Sequence, residues 1–209
     1  MGEPSVPEPV QLIVGLLAAS PELLGEARLV LAEQIAAIDG VSEAYVWTES
    51  GYYAAEMGPA IWRQFVSLNR CIDPGALADV KRRTNDMEQR WRDGSGRRRV
   101  NLDPGYLGVT KLVLATTKDA AHRVYLRDGI YAEATLHYAN GSWHPYAHTY
   151  RDYAGAVALE FFKTVRSGYV ARRRLTARAA ASPELAGSAE TAALPDGAPA
   201  RRPRAAGRA

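Results

Sequence analysis

The sequence predicts an α+β domain: a mixed, mostly antiparallel sheet of about five to six strands, with helices packed on one side. Three observations carry that expectation. The chain opens with an apolar run, a capped helix and a second apolar run. A second helix starts at Asp73-Pro74. From residue 97 onward, apolar and polar residues alternate around turn-forming dipeptides.

Residues 1–9 (MGEPSVPEP) are proline-rich and predict a disordered N-terminus. Gln11 to Ala19 is dense in Leu, Ile and Val and predicts a buried strand. Ser20 then offers a hydroxyl as N-cap, with Pro21 at the first helical position. Leu23, Leu24, Ala27, Val30, Leu31, Ile35 and Ile38 repeat at the helical period until Asp39-Gly40. Val41 to Thr48 predicts a second strand, so the opening reads β-α-β, a crossover that is parallel if both strands share a sheet.

Residues 49–72 are aromatic-rich and mixed, with a break at Gly58-Pro59 and a short helix or strand after it. In the helix that follows Asp73-Pro74, Leu77, Val80, Thr84, Met87 and Trp91 form the packed stripe. Lys81, Asn85 and Glu88 lie one residue further round. Such a border stripe is either a solvated flank or faces a cleft between helix and sheet. Strands are expected near 97–103 and 107–117, a hairpin over 122–138 and a helix from about Asp152 to Arg173. The domain thus spans 10–172, and the Ala/Pro/Arg-rich 173–209 predicts a disordered tail.

The hairpin has two possible registers. A two-residue Asp128-Gly129 turn mixes buried and polar groups on each face. A three-residue turn pairs Leu126 with Ile130, Tyr125 with Tyr131, Val124 with Ala132 and Arg123 with Glu133, separating an apolar face from a polar one. The pattern favours the second. By the same two-residue period, Arg99, Asn101 and Asp103 share one face of the preceding strand.

Composition narrows the functional classes. The 209 residues carry a net charge of +3, but residues 172–209 hold eight arginines and three acids, a balance of +5. The remaining 18 basic and 20 acidic residues give −2, so the charge balance does not favour a broad nucleic-acid surface on the domain. One cysteine, Cys71, allows no disulfide framework and fits a reducing cytoplasm; it is expected to be packed. The run Val10 to Ala19 is too short to cross a bilayer, and Glu3 and Glu8 stand where a signal peptide would be basic, so neither membrane insertion nor export is expected. His137, His144 and His148 lack a compact zinc spacing. There is no phosphate-loop, dinucleotide or zinc-protease motif, and Thr116-Thr117-Lys118-Asp119 is only weakly similar to a guanine-reading Asn-Lys-x-Asp.

What remains is a concentration of mixed polar chemistry. Arg99 and Arg123 can fork onto phosphate or carboxylate oxygens, Lys118 adds a point charge and Asn101 fixes orientation. Glu133, Glu56, Asp103 and His122 are the acid/base candidates, with Asp103 and Glu133 also suited to Mg²⁺. The leading expectation is a small phosphate- or carboxylate-bearing ligand, a nucleotide-like molecule among them, bound on the polar sheet face under the helix. The alternatives are an RNA- or protein-binding module using a Tyr/Arg surface that includes Tyr125 and Tyr131, and a purely structural polar network.

Several motifs are long and ordered: Tyr52-Tyr53-x-x-Glu56-Met57-Gly58, Arg63-x-Phe65, Ile72-Asp73-Pro74 and Lys81-x-x-Thr84-Asn85-x-x-Glu88. They continue through the 98–106 and 111–119 stretches, His122-Arg123-Val124-Tyr125-Leu126 and Gly129-Ile130-Tyr131-Ala132-Glu133. Together they resemble one bacterial family of unknown function, DUF4416, and the likeness covers about residues 10–168. It brings Glu56, Arg63, Lys81, Asn85 and Glu88 into the candidate set. The chain departs from it at His148-Thr149-Tyr150-Arg151, where Trp-Thr-Tyr-Pro is expected, and at Ser50-Gly51, where the family pattern has Thr-Asp.

Overall fold

The computed structural model describes residues 2–48, 57–58 and 60–181. Strand β1, Val10–Ala18, is buried at every position. Nine consecutive buried residues require cover on both faces of the sheet, and the alternation of side chains shows where each face goes. Leu12, Val14, Leu16 and Ala18 pack with Leu24, Ala27 and Leu31 of helix α1 (Pro21–Gln34). Ile13, on the other face, packs with Phe65, Tyr153, Phe162 and Tyr169. Helices therefore cover both faces, correcting the expectation of a one-sided layer.

Among the described residues the sheet has nine strands, more than expected. Its main order is β2-β4-β1-β5-β6-β8-β7, with β3 on β4 and β9 on β8, and every pairing is antiparallel. Strand β2 (Ile38–Val41) and β1 both pair antiparallel with β4 (Ile61–Ile72). They run parallel with β4 between them, as the opening crossover predicted.

Ser20 caps α1, accepting from the Leu23 N–H at 3.4 Å, and Pro21 begins it. The helix stops at Gln34 rather than continuing to Ile38, because Ile38 is drawn into β2 opposite Leu68. The second expected strand is divided, β2 being followed by β3 (Tyr45–Trp47). Cys71, near the end of β4, is exposed rather than packed. Asp73 accepts from the Gly75 N–H at 2.7 Å, and a 3₁₀ turn at Pro74–Ala76 leads into α2 (Leu77–Glu88).

Strands β5 (Val100–Leu107) and β6 (Lys111–Thr116) create the feature that positions the site. Along its whole length β5 pairs with β1, yet it meets β6 only where Gly105, Tyr106 and Leu107 face Leu114, Val113 and Leu112. From Asp103 back to Val100 the strands diverge and the sheet splits.

Beyond the split come β7 (Val124–Arg127), β8 (Ile130–Ala139) and β9 (Ser142–Pro145). At the β7–β8 hairpin Asp128 and Gly129 both have positive φ, 53° and 74°, and Arg127 pairs with Ile130. That is a tight two-residue turn. A bulge between Tyr125 and Arg127 then restores Tyr125 opposite Tyr131 and Val124 opposite Ala132. Both expected pairs form, but Leu126 does not oppose Ile130. Helix α3 (Arg151–Ala154) leads into α4 (Ala156–Ala181), which runs past the expected end near Arg173 through a segment rich in the helix formers Ala and Arg. None of the described helices is long and apolar enough to cross a membrane.

Candidate functional site

Where β6 leaves, the backbone of β5 loses its strand partner, and α2 supplies side chains instead. The Leu102 N–H donates to Glu88 Oε1 at 2.8 Å, and Lys81 Nζ donates to the Leu102 carbonyl at 2.7 Å. Both groups of one backbone residue are thus satisfied by two side chains of the same border stripe, about two turns apart on α2. By strand alternation Pro104 is the next residue facing this open side, a position where the missing N–H leaves nothing unsatisfied.

Burial of Lys81 (5% exposed) and Glu88 (2%) is tolerable because each is paired. Glu88 Oε2 accepts from Arg98 Nη1 at 3.1 Å, and the same Nη1 reaches Asn101 Oδ1 at 3.0 Å. Asn101 Nδ2 passes the chain on to Asp103 Oδ2 at 2.8 Å. Asp103 lies 3.6 Å from Lys81 and 3.7 Å from Arg63. Burial pushes the Glu88 carboxyl above its ordinary range, although Lys81 and the Leu102 N–H oppose that shift.

Arg63 on β4 is 1% exposed, and its guanidinium lies 4.6 Å from the Phe65 ring centroid and 4.8 Å from that of Tyr153. Nη2 pairs with Asp152 at 2.9 Å. Burial alone would lower its pKa, but Asp152, Tyr153 and Asp103 outweigh it and raise it further, so Arg63 is always charged. Among the described residues Nε and Nη1 are buried with no hydrogen-bond partner, Nη1 lying 3.7 Å from Asp103 Oδ2. Burial also holds the Tyr153 phenol well above its usual pKa, and therefore neutral. Gly15 makes room for this packing, since a Cβ there would come within 2.3 Å of the Tyr153 hydroxyl oxygen.

A second cluster stands across the split. Glu133 on β8, 1% exposed, accepts from Arg123 Nε at 2.9 Å and lies 3.2 Å from His122 Nε2. Thr135 Oγ1 lies 3.3 Å from its other oxygen. Arg123 also donates from Nη1 to the Lys118 carbonyl and from Nη2 to the Tyr150 hydroxyl at 2.8 Å. Burial works against its charge, but Glu133 and Tyr150 raise its pKa overall. With its fork committed to the protein, Arg123 positions Glu133 and the 118–123 loop rather than a ligand.

Between the two clusters is a cavity of about 390 Å³, with Arg63, Lys81, Arg98, Lys118, Asp103 and Glu133 in its wall. Asn85, Glu88 and Asn101 line it as well. The border stripe of α2 therefore faces a cleft, as one of its two sequence readings proposed.

Some expected residues lie elsewhere. Arg99 is exposed and precedes the strand, whose first residue is Val100, and Arg98 reaches inward in its place. Tyr125 and Tyr131 meet edge to face at 5.3 Å on the hairpin, outside the cavity wall. Glu56 falls outside the described residues. Asp103 and Glu133 both face the cavity, but each is engaged by its own cations, which weakens the case for a Mg²⁺ shared between them. Sequence reasoning missed Arg98, Tyr150, Asp152 and Tyr153 as site residues. The first sits one residue outside a strand whose start was misplaced. Of the others, Tyr150 precedes and Asp152 and Tyr153 lie in α3, a four-residue helix too short to show a buried stripe by periodicity. The Cys71 residue is exposed, and partial desolvation of its thiol pushes the pKa up.

Fold and site together define an antiparallel α+β domain with a charged cavity at a split in its sheet. The chain belongs to the DUF4416 family, a domain of unknown function, whose model matches residues 8–169. No curated protein and no solved structure matches it.

Proposed function

We propose that this cavity binds a small ligand bearing phosphate or carboxylate groups, a nucleotide-like molecule being one such class. The observation that carries the reading is Arg63: a fully buried guanidinium in the cavity wall whose Nε and Nη1 have no hydrogen-bond partner among the described residues, Asp103 lying beyond hydrogen-bond range of Nη1 at 3.7 Å. Buried donors left unmatched are costly, and an anion is the natural group to match them. Lys81, Arg98 and Lys118 in the same wall add positive charge, and Asn85 adds an amide. The volume lies within the range of about 300–1,000 Å³ typical of small-molecule sites. A single cysteine and no membrane-crossing helix among the described residues are compatible with work in a bacterial cytoplasm.

The test is a thermal-shift screen of the full chain against nucleotides, phosphorylated metabolites and dicarboxylates. A stabilising class is expected, and Lys118→Ala should weaken that stabilisation. If no anion raises the melting temperature, the reading fails.

A second reading has its own support. The chain from Glu88 through Arg98 and Asn101 to Asp103 is hydrogen-bonded at each step, as a network that only fixes the fold would be. Asp103→Asn, at the end of that chain, separates the two readings. A structural network predicts a sharp loss of melting temperature, whereas an anion site, losing a competing acid from its wall, should keep its stability and bind the anion more tightly.

A further inference from the structure

All four histidines of the chain stand in one run of stacked rings. His122 and His148 stack at 4.2 Å and 14°, Tyr146 follows His148 at 5.3 Å, and His137 lies 4.9 Å from Tyr146 and 5.3 Å from His144. At one end of this run Glu133 joins His122 and His148. The three residues each offer one ligand atom, and those atoms lie within 4.8 Å of one another. We propose that His122, Glu133 and His148 form a binding site for a divalent first-row transition metal, Zn²⁺ being the best match.

The donor set argues for the class of ion. Two imidazoles and one carboxylate suit zinc and its neighbours, whereas Mg²⁺ prefers an all-oxygen shell. The surroundings argue for the site. His148 Nε2 lies 2.9 Å from the Ala134 carbonyl, which can only accept, so that nitrogen carries the proton and Nδ1 keeps its lone pair. A histidine anchored through its second nitrogen to a backbone carbonyl is the usual arrangement for a metal ligand. Glu133 is held in the same manner: Arg123 fixes Oε2, while Oε1 accepts only the longer contact from Thr135 and retains lone pairs for an ion.

His122 is the adjustable member. It is exposed, lies in the loop before β7, and touches Glu133 at 3.2 Å, a contact that a neutral imidazole can exchange for coordination. Zinc–donor distances of about 2.0–2.1 Å place tetrahedral ligands about 3.3 Å apart. Binding therefore requires the ligand atoms, within 4.8 Å of one another, to close toward that separation, with His122 turning out of its stack on His148 from its exposed loop. Because Glu133 also lines the cavity, the metal site would adjoin the proposed anion site. Only that last point rests on the proposed ligand; the metal site itself does not.

The experiment uses the full chain, treated with chelator and dialysed, then titrated calorimetrically with Zn²⁺ and with Mg²⁺. One equivalent of Zn²⁺ should bind and Mg²⁺ should not. His122→Ala and His148→Ala should each weaken Zn²⁺ by at least about 100-fold, with unchanged circular dichroism, while His137→Ala and His144→Gln should leave it intact. Loading with Co²⁺ should give the intense visible absorption of a four-coordinate site, lost in the His148 variant. Absence of Zn²⁺ binding overturns the proposal, as does binding that survives in the His122/His148 double variant. Anion binding measured in the presence of chelator keeps the two readings apart. If it persists while zinc does not bind, only the metal site fails; zinc binding with no anion response sinks only the cavity reading.

Discussion

The two halves of β5 solve the same problem differently. Between Gly105 and Leu107 the strand is laddered on both sides, to β1 and to β6. Between Val100 and Asp103 it keeps β1, but its other side is served at Leu102 by Glu88 and Lys81 of α2. The laddered half is dry and tight. The open half admits charge, and a cavity with it. A sheet can thus hold a polar site in its own plane, provided side chains take over the hydrogen bonds that a departing strand no longer makes.

The sharpest way to break the open half is Glu88→Leu. It removes the acceptor of the Leu102 N–H and leaves Arg98 without its buried partner, and should lower stability by about 3–5 kcal/mol in urea denaturation. A loss under about 1 kcal/mol would mean that water replaces the side chain easily. The laddered half is attacked by Gly105→Ala, whose Cβ would come within 2.5 Å of the Val113 carbonyl oxygen, a backbone atom that cannot swing aside. That overpacking should remove about 1–3 kcal/mol and leave anion binding less affected than stability.

A smaller effect comes from pH. The folded-state pKa of Glu88 is raised above its ordinary 4.5, mainly by burial. The folded protein therefore binds this proton more tightly than the unfolded chain does. Stability from this group is fully present below pH 4.5 and is lost as pH rises through the folded value. The free energy of unfolding of the wild type minus that of Glu88→Gln should fall as pH rises above 4.5; a flat difference would show that Lys81 and Arg98 fully offset the burial. Least of all is expected from Arg127→Ala, far from either half of β5. Its ion pair with Asp79 is exposed, so melting temperature should not move measurably.

The helix starts and the family were legible in the sequence. Ser20-Pro21 and Asp73-Pro74 begin their helices through local chemistry, each cap bonding within a few residues. The Arg123–Glu133 pair was legible too, because it depends on the register of a single hairpin. What depends on partners distant in sequence was less so. The mostly apolar β1 was legible as a buried strand, but its cover on both faces was not, because the second cover comes from α4, far along the chain. The split between β5 and β6 leaves no periodic trace, since a strand alternates in the same way whether its neighbour stays or leaves. Arg98 stood in for Arg99 for a related reason: the first residue of a strand is set by its pairing, and here β5 begins opposite Ala18.

The placement of β1 has a consequence for how the molecule is made. Its two neighbours are β4, ending at Ile72, and β5, ending at Leu107, so the central strand emerges from the ribosome well before either. At roughly 5–20 residues per second this leaves a mostly apolar nine-residue segment without its sheet partners for several seconds. Pairing across such long sequence separations is also intrinsically slow. Newly made chains should therefore depend on α1, which follows β1 directly and covers one of its faces, to act as a local shield until the far strands arrive.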